Sequence, residues 1–272
     1  MSGNPLASAE PWDLVADGYA ESALAIMAPF SDRALELADL PADAHVIDVA
    51  AGPGTLSLPA AARVGRVQAV DFAEHMLERL RNAARDAGIT NVDVRVGDGQ
   101  ALPFDDDSFD AGFSMFGLMF FPDRIKGFAE LFRVLRPGGV AVVSSWAPVA
   151  ESPLMRMMFG ALAAGDPAIQ EPQPNFLSLE NPEVFATELR GAGFAGVSIQ
   201  RHTTSVAYPD ADRLWEEMSR SSAPMMLLRR SIGEDAWAAR SESMRAHLAE
   251  NYRPNTPLAT TAFLGIGHKP LP

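Results

Sequence analysis

The chain has 272 residues, a formal net charge of −13 and no cysteine. Because nucleic acids and anionic membranes attract clustered Lys and Arg, this charge argues against both as partners. The absence of cysteine excludes disulfides, thiolate metal sites and a cysteine nucleophile. With 47% hydrophobic residues, residues 1–272 are enough for one large α/β domain or one domain with a big insertion. We expect a soluble, cytoplasmic protein, since neither a signal peptide nor a bilayer-spanning apolar run is recognisable.

Residues 1–41 are predicted to form a helical N-terminal extension. Trp12, Val15 and Tyr19 recur at helical spacing, and Pro41 ends the pattern because proline cannot donate a helical hydrogen bond. We expect this extension to lie over an edge of the sheet that follows it.

Residues 45–146 alternate between short apolar runs and amphipathic stretches, which predicts a parallel, doubly wound sheet. The predicted strands are 46–50, 67–71, 92–96, 109–115 and 140–146, and the predicted helices are 54–63, 73–87 and 122–135. Pro59 predicts that the first of these helices is short or bent. The Arg-Pro-Gly-Gly stretch at 136–139 is predicted to be a turn.

Beyond residue 146 the pattern predicts helices at 153–165 and 182–192, a sixth strand at 197–203, two or three helices within 210–252 and a last strand at 260–267. The segments 150–181 and 205–258 do not continue the regular alternation. We predict that they form a helical and loop cap that covers the substrate at the carboxyl ends of the strands.

A strand, a turn of small residues and a helix start follow one another in residues 45–58. Such a helix start favours a carboxylate or phosphate, because its backbone N–H groups are free. The loop does not match the dinucleotide pattern G-x-G-x-x-G, since Thr55 occupies the third small-residue position. Asp48 inside the strand instead favours a ligand with an amino group.

Three acids, Asp48, Asp71 and Asp98, end neighbouring predicted strands. Ligands of open α/β sheets bind beyond these strand ends, and an acid about 20 residues after the loop suits the hydroxyls of a ribose. A ligand with an amine, a ribose, an exocyclic amino group and a positive centre fits all three acids, and S-adenosylmethionine is such a ligand. Each acid also has a structural alternative, because Asp48 or Asp71 could cap the following turn or helix and Asp98 could stabilise a turn.

The ordered set of motifs resembles the class I S-adenosylmethionine-dependent methyltransferases of the small-molecule type, near the ubiquinone/menaquinone C-methyltransferase-like branch. The matching stretches are 46–54, 70–77, 97–104, 109–110 and 135–139. The resemblance implies a Rossmann-like sheet of seven mostly parallel strands with an antiparallel last strand. It also implies S-adenosylmethionine as cofactor, bound by the core at 45–146.

The resemblance further implies which residues contact the cofactor. The methionine end is assigned to Asp48, Ala50, Gly52, Tyr19 and the Met115 backbone, the ribose to Asp71, and the adenine to Phe72, Met76, Asp98 and Gly99. Ala50 departs from the glycine that the family usually has there, and we expect binding to survive with a slightly tighter fit.

Methyl transfer from a sulfonium is an in-line displacement, in which positioning of the acceptor can contribute roughly 7–11 kcal/mol. Met and aromatic side chains predict a small, largely apolar or aromatic acceptor that is methylated at O, N or C. The candidate acceptor-binding residues are Trp12, Tyr19, Phe116, Met119, Trp146 and Met158. His202 is only a weak candidate for a general base, because an ordinary surface or core histidine is the more common case. No two of the five histidines have metal-ligand spacing, which predicts no metal.

Two other functions remain open from the sequence. An NAD-dependent oxidoreductase would share the fold, but Asp48 and Thr55 argue against it, as does the lack of a Tyr-x-x-x-Lys pair after the fourth strand. A non-catalytic S-adenosylmethionine-binding protein would keep the three acids. The sequence does not indicate the oligomeric state.

Overall fold

The computed structural model describes residues 4–170, 172–175 and 178–272, with residues 23 and 24 as backbone only. Residues 1–3 of the predicted N-terminal extension therefore lie outside the described part. The same is true of residues 171, 176 and 177 of the predicted cap.

In the described part, seven strands form one sheet in the order β3–β2–β1–β4–β5–β7–β6. The strands are β1 His45–Val49, β2 Arg66–Asp71, β3 Val92–Val96, β4 Phe109–Met115, β5 Leu135–Trp146, β6 Ala195–Val206 and β7 Leu258–His268. Strand β7 is antiparallel to both β5 and β6, so the other six strands run in one direction. The predicted seven-stranded, mostly parallel sheet with an antiparallel last strand is confirmed. The strand order reverses between β1 and β4, which is where open α/β sheets bind ligands.

Nine α-helices accompany these strands within the described residues. They are α1 Glu10–Ala38, α2 Ser57–Ala61, α3 Glu74–Asp86, α4 Arg124–Val134, α5 Pro153–Gly165, α6 Pro182–Gly191, α7 Ala211–Ser221, α8 Ala223–Ile232 and α9 Glu234–Asn251. Helix α2 is short, as Pro59 predicted. None of the described helices combines the length and apolar character that crossing a membrane requires.

Helix α1 packs on a face of the sheet, not over its edge as expected. Phe30 and Ala34 of α1 are fully buried in one cluster with Val46 of β1 and Val142 of β5. The neighbouring Ile47 belongs to the cluster on the opposite face, because successive side chains of a strand alternate between faces. Helices α4 and α6 cover that second face.

The prediction of a turn at 136–139 is wrong, because these residues are part of β5. Leu135 pairs with Phe109 and Val140 pairs with Ala111, so four residues of β5 bulge opposite a single residue of β4. Gly138 donates a backbone hydrogen bond of 2.8 Å to Lys269, and Lys269 donates one of 2.8 Å to Gly139. This pairing with the segment after β7 holds the bulge in the sheet.

Helices α5 and α7–α9 share an apolar cluster of their own. Leu154, Leu214, Met244 and Leu248 are buried in it. The hydroxyl of Tyr252, just after α9, accepts a hydrogen bond of 2.7 Å from the backbone N–H of Tyr208 and donates one of 2.8 Å to its carbonyl oxygen. This reciprocal pair fastens the end of the insertion between β6 and β7 to the end of β6.

Candidate active site

The loop at 50–56, directly after β1, is a tight turn. Ala50, Gly52 and Gly54 have φ values of 59°, 55° and 95°. A side chain at Gly54 would place its Cβ 2.3 Å from Leu80 Cδ1, so this position needs glycine. Alanine in the left-handed region costs about 1–2 kcal/mol, and the surrounding loop must hold Ala50 there. Such strain is typical of functional sites.

Asp48 lies beneath this loop and is 1% exposed. The hydroxyl of Ser57, the first residue of α2, donates a hydrogen bond of 2.6 Å to Oδ2 of Asp48. Burial raises the pKa of Asp48 to about 7, with the hydrogen bond from Ser57 opposing the rise and the charge of Asp71 adding to it. The site therefore holds a carboxyl group that is only partly ionised at neutral pH.

Asp71 ends β2 and is 6% exposed. Its Oδ2 accepts a hydrogen bond of 2.8 Å from the backbone N–H of Gly52, and its Oδ1 accepts one of 2.8 Å from that of Ala73. Burial raises the pKa of Asp71 to about 6, against the opposing effect of these backbone donors. The bond from Ala73 is not the helix cap foreseen as the alternative, because Ala73 is itself the N-cap of α3 and that cap has no side-chain hydrogen bond. Because a carboxylate offers about four acceptor positions, both oxygens can still accept from a ligand.

Asp98 is exposed on a turn after β3. Its Oδ1 accepts hydrogen bonds from the backbone and side-chain N–H groups of Gln100, at 2.8 and 3.1 Å. The turn role proposed as the alternative for Asp98 is thus present. Gly99 beside it is buried, and an added Cβ would lie 2.5 Å from Phe121 Cζ. The turn is therefore packed closely against the β4–α4 connection.

A cavity of about 40 Å³ lies between the loop and α1. Its described lining residues are Tyr19, Met27, Ser31, Asp48, Ala50, Ala51, Gly52, Pro53, Thr55, Leu56, Met115 and Phe116. Five residues of the predicted cofactor site, Tyr19, Asp48, Ala50, Gly52 and Met115, are thus brought together. A cavity of this size holds only a few water molecules.

Sequence reasoning missed Met27 and Ser31 in this cavity. They follow Tyr19 on α1 by eight and twelve residues, and residues four apart lie on the same side of a helix. That spacing is the signal that could have identified them.

The N-terminal part of α1 covers the start of α3. Met76 is 2% exposed and clusters with Val15 and Ala16 of α1, whereas the neighbouring Phe72 is 38% exposed. Burial raises the pKa of Tyr19 to about 12, and the negative charge of Asp71 adds to the rise. The phenol of Tyr19 therefore lies within electrostatic reach of the acid at the end of β2.

Trp12 connects α1 to the β4–α4 segment. Its ring meets that of Tyr19 edge-on at a centroid distance of 6.2 Å and that of Phe120 at 5.4 Å. Its indole N–H donates a hydrogen bond of 2.9 Å to the carbonyl oxygen of Leu6. The predicted acceptor residues Trp12 and Tyr19 are thus in contact.

An aromatic wall, defined by Phe30, Phe116 and Trp146, stands at the end of β4. Phe116 stacks on Trp146 with a centroid distance of 4.0 Å, and Phe30 meets both rings edge-on. Phe116 has a φ of 59°, and its backbone N–H donates a hydrogen bond of 2.9 Å to Ser144 Oγ. A bulky residue with positive φ is a genuine outlier, and here it lines the same cavity as Ala50.

The remaining candidates lie farther along the sheet and the insertion. Met119 is partly buried and accepts a weak hydrogen bond from Ser145 Oγ, while Met158 packs in the cluster of α5 and α7–α9. The ring of His202 meets Phe30 edge-on, and burial followed by the charge of Arg33 lowers its pKa. Met119, Met158 and His202 are not among the described residues that line the cavity, and their roles stay predictions. No group of three or more His, Asp or Glu side chains within the described ranges is placed to hold a metal ion.

Comparison with known proteins assigns the family. Residues 46–139 match a family model described as a methyltransferase domain. An uncharacterized protein of Mycobacterium tuberculosis is 32% identical over 236 residues, which cover 86% of this chain and 84% of that protein. A demethylmenaquinone methyltransferase of Clavibacter sepedonicus is 35% identical over 176 residues, which cover 60% of this chain and 70% of that enzyme.

Among solved structures, the YcgJ protein of Bacillus subtilis has a similar fold. Its TM-score is 0.60 at 21% identity, and the match covers 89% of this chain and 98% of that one. The structural likeness shows the fold, and the sequence matches to methyltransferases show the family. The chain belongs to the class I S-adenosylmethionine-dependent methyltransferases.

Proposed function

We propose that this methyltransferase transfers the methyl group of S-adenosylmethionine to an O, N or C atom of a small, largely apolar or aromatic molecule. The observation that supports the cofactor site most strongly is the buried acid Asp48 in the cavity under the loop, with Asp71 fixing Gly52 of the same loop. Burial of a carboxylate without a positively charged partner is unfavourable. A ligand that brings a positive charge and hydroxyl donors would offset this cost.

The residues present fit the cofactor. The ammonium of its amino-acid end would pair with Asp48, whose Oδ2 already accepts from Ser57. The ribose hydroxyls would donate to the acceptor positions that Gly52 and Ala73 leave free on Asp71. The bound cofactor supplies a methyl group on a sulfonium, which is already activated for displacement.

We assign the adenine to the exposed face of Phe72, with Met76, Asp98 and Gly99 beside it. The 38% exposed fraction of Phe72 supports this assignment, since an aromatic ring at a strand end offers a stacking surface. Asp98 would accept from the adenine amino group, because only its Oδ1 has partners within the described residues.

The aromatic wall supports an apolar or aromatic acceptor. Phe116 lines the cavity beside Met115, and Trp146 and Phe30 extend the apolar surface through their ring contacts. The name of the Clavibacter relative favours a hydrophobic quinone-type ring among such acceptors. We propose that 150–181 and 205–258, whose described helices share one cluster, form the cap over this acceptor.

Catalysis would depend mainly on positioning, which can supply roughly 7–11 kcal/mol. Tyr19, with a pKa of about 12, stays protonated at neutral pH and acts as a hydrogen-bond donor. His202 has a lowered pKa, and its ring and that of Phe116 both contact the ring of Phe30. Use of His202 as a base would be worth about 10²–10⁴-fold.

A thermal-shift titration tests the cofactor. We expect S-adenosylmethionine and S-adenosylhomocysteine to raise the melting temperature, because a ligand that binds only the folded state stabilises it. Asp71→Ala should reduce both shifts. A shift with NAD or NADP alone would contradict the proposal. Incubation with hydrophobic phenols, amines and quinones should then yield S-adenosylhomocysteine, whereas cofactor binding without turnover of any acceptor would favour the non-catalytic alternative.

A further inference from the structure

We propose that Ser31 of α1 is a further cofactor-binding residue, whose hydroxyl donates a hydrogen bond to the carboxylate at the amino-acid end of S-adenosylmethionine. This inference rests on the proposed function, because it assumes that the cavity under α1 receives that cofactor. Ser31 lies outside every motif that indicated the cofactor site from the sequence.

The hydroxyl of Ser31 is in an unfavourable environment. Ser31 is 0% exposed, and within the described part of the chain its Oγ has no hydrogen-bond partner. Leaving a buried hydroxyl unpaired is unfavourable. Two other buried polar atoms share this state in the described residues, His45 Nε2 and Thr260 Oγ1, but neither residue lines the cavity. Of these three buried atoms, only Ser31 Oγ is therefore next to the space that a ligand would enter.

The position of Ser31 along α1 indicates which part of the ligand it would meet. Tyr19 and Ser31 line the same cavity from one helix, and at 1.5 Å per residue they are ~18 Å apart along its axis. Tyr19 lies on the side of Asp71, whose charge it senses. Ser31 therefore lies at the far end from the ribose, beside Phe30 and its contact with Phe116.

The charges at that end favour the carboxylate as the partner of Ser31. Asp48 lines the cavity from below and attracts the ammonium, but it repels a second carboxylate. A carboxylate is therefore best placed on the α1 side of the cavity, where a serine hydroxyl can donate to it. No Lys or Arg is among the described lining residues, so a neutral donor has this role.

A structural alternative is available for this serine. A serine inside a helix can turn its hydroxyl to the carbonyl oxygen four residues earlier, here that of Met27. In that case Ser31→Ala would change the stability of α1 and would leave ligand affinity unchanged. The two explanations therefore predict different results. A bond from Ser31 to the ligand affects ligand affinity, whereas a bond within α1 affects only the stability of the helix.

Calorimetry with two ligands separates the explanations. S-adenosylhomocysteine has the amino-acid end and 5′-methylthioadenosine lacks it. We expect Ser31→Ala to weaken binding of the first about 10- to 100-fold, as for loss of a hydrogen bond to a charged group, and to leave binding of the second unchanged. Thr260→Val is the matched control, since it removes another buried, unpaired hydroxyl. Both variants should keep or raise the melting temperature without ligand, and the control should bind both ligands as the wild-type protein does.

Two results would overturn the assignment of Ser31 and leave the proposed cofactor site intact. In the first, Ser31→Ala binds S-adenosylhomocysteine with unchanged affinity. In the second, the variant loses affinity equally for both ligands. If the wild-type protein binds neither ligand, the proposed cofactor site itself is wrong, and the assignment of Ser31 falls with it.

Discussion

The Cβ atom of Ala50 occupies the space that a side chain at Gly117 would need. An added Cβ on Gly117 would lie 2.2 Å from the Cβ of Ala50. Ala50 follows β1 and Gly117 lies two residues beyond β4, so the contact joins the neighbouring strand ends where the strand order reverses. The methyl group of Ala50 is thus accommodated because position 117 has no side chain.

This relationship predicts strong coupling between the two positions. Gly117→Ala should lower the free energy of unfolding by about 1–3 kcal/mol, as overpacking does. Ala50→Gly should change it little or raise it, because glycine adopts a positive φ without strain. The double variant should recover most of the loss, since the clashing atom is gone. Urea unfolding of the wild-type protein, the two single variants and the double variant gives the coupling free energy between the two positions. Strictly additive changes in the free energy of unfolding would contradict the predicted coupling. Gly191→Ala is the control, because its Cβ would meet no atom within 4 Å.

Asp48→Asn should stabilise the ligand-free protein at pH 8 and abolish tight cofactor binding. The pKa of Asp48 is about 7 in the folded state against an ordinary 3.8, so between about pH 4 and 7 the folded state binds more protons than the unfolded state. The free energy of unfolding therefore falls as the pH rises through this range, and the cost of ionising the buried Asp48 is fully present above pH 7. Asparagine carries no such penalty.

Thermal unfolding at pH 5 and pH 8 measures this effect. We expect a gain on the order of 1–4 kcal/mol at pH 8 and a much smaller gain at pH 5. Asp105→Asn, at an exposed position, is the control and should show no gain at either pH. A loss of stability in Asp48→Asn at pH 8 would show that Asp48 is well solvated or paired.

Cofactor affinity should fall as the pH is lowered from 8 to 5. The pKa values of Asp48 and Asp71 are raised to about 7 and about 6, and only the ionised carboxylates attract an ammonium or accept two hydrogen bonds. Binding below pH 7 should therefore release protons, and the dissociation constant should approach about a tenfold rise per pH unit for each group that must ionise. Calorimetry in buffers of different ionisation enthalpy measures both quantities. A flat profile without proton release would refute the role of these acids.

Tyr252→Phe should lower stability by about 1–3 kcal/mol. The change leaves the buried N–H of Tyr208 without its acceptor, whereas the carbonyl oxygen of Tyr208 keeps a bond of 2.8 Å from the backbone N–H of Asn255. Because the contact lies at the end of the insertion, cofactor affinity should stay at the wild-type value. Hydrogen exchange should quicken at Tyr208 and in the last turn of α9, and unchanged exchange there would contradict the fastening role of Tyr252.

The strands that local sequence determines were predictable. The bounds of β3 and β4 match the apolar runs, because alternating burial and flanking turn residues are local signals. The bulge of β5 was not predictable, since Pro-Gly-Gly is typical of a turn. There, pairing with Lys269, more than a hundred residues later, decides the conformation.

The candidate site was predictable to the extent that it lies at strand ends. Asp48 and the loop that includes Thr55 distinguished a methyltransferase from a dinucleotide-binding enzyme, and the family assignment confirms that distinction. Met27 and Ser31 were missed because the packing of α1 on the sheet brings them to the cavity. The repeat of about four residues after Tyr19 marks one side of α1, but only this packing shows that the side meets the cavity.

The position of β7 has a consequence for folding during synthesis. This strand is the last along the chain, yet it lies between β5 and β6, so the ribosome completes β5 well before its neighbour exists. At about 5–20 residues per second, the segment 147–257 takes on the order of ten seconds to emerge. During that time the edge of β5 is unpaired and open to aggregation, and we expect nascent chains of this length to depend on a chaperone until residues 258–268 insert into the sheet.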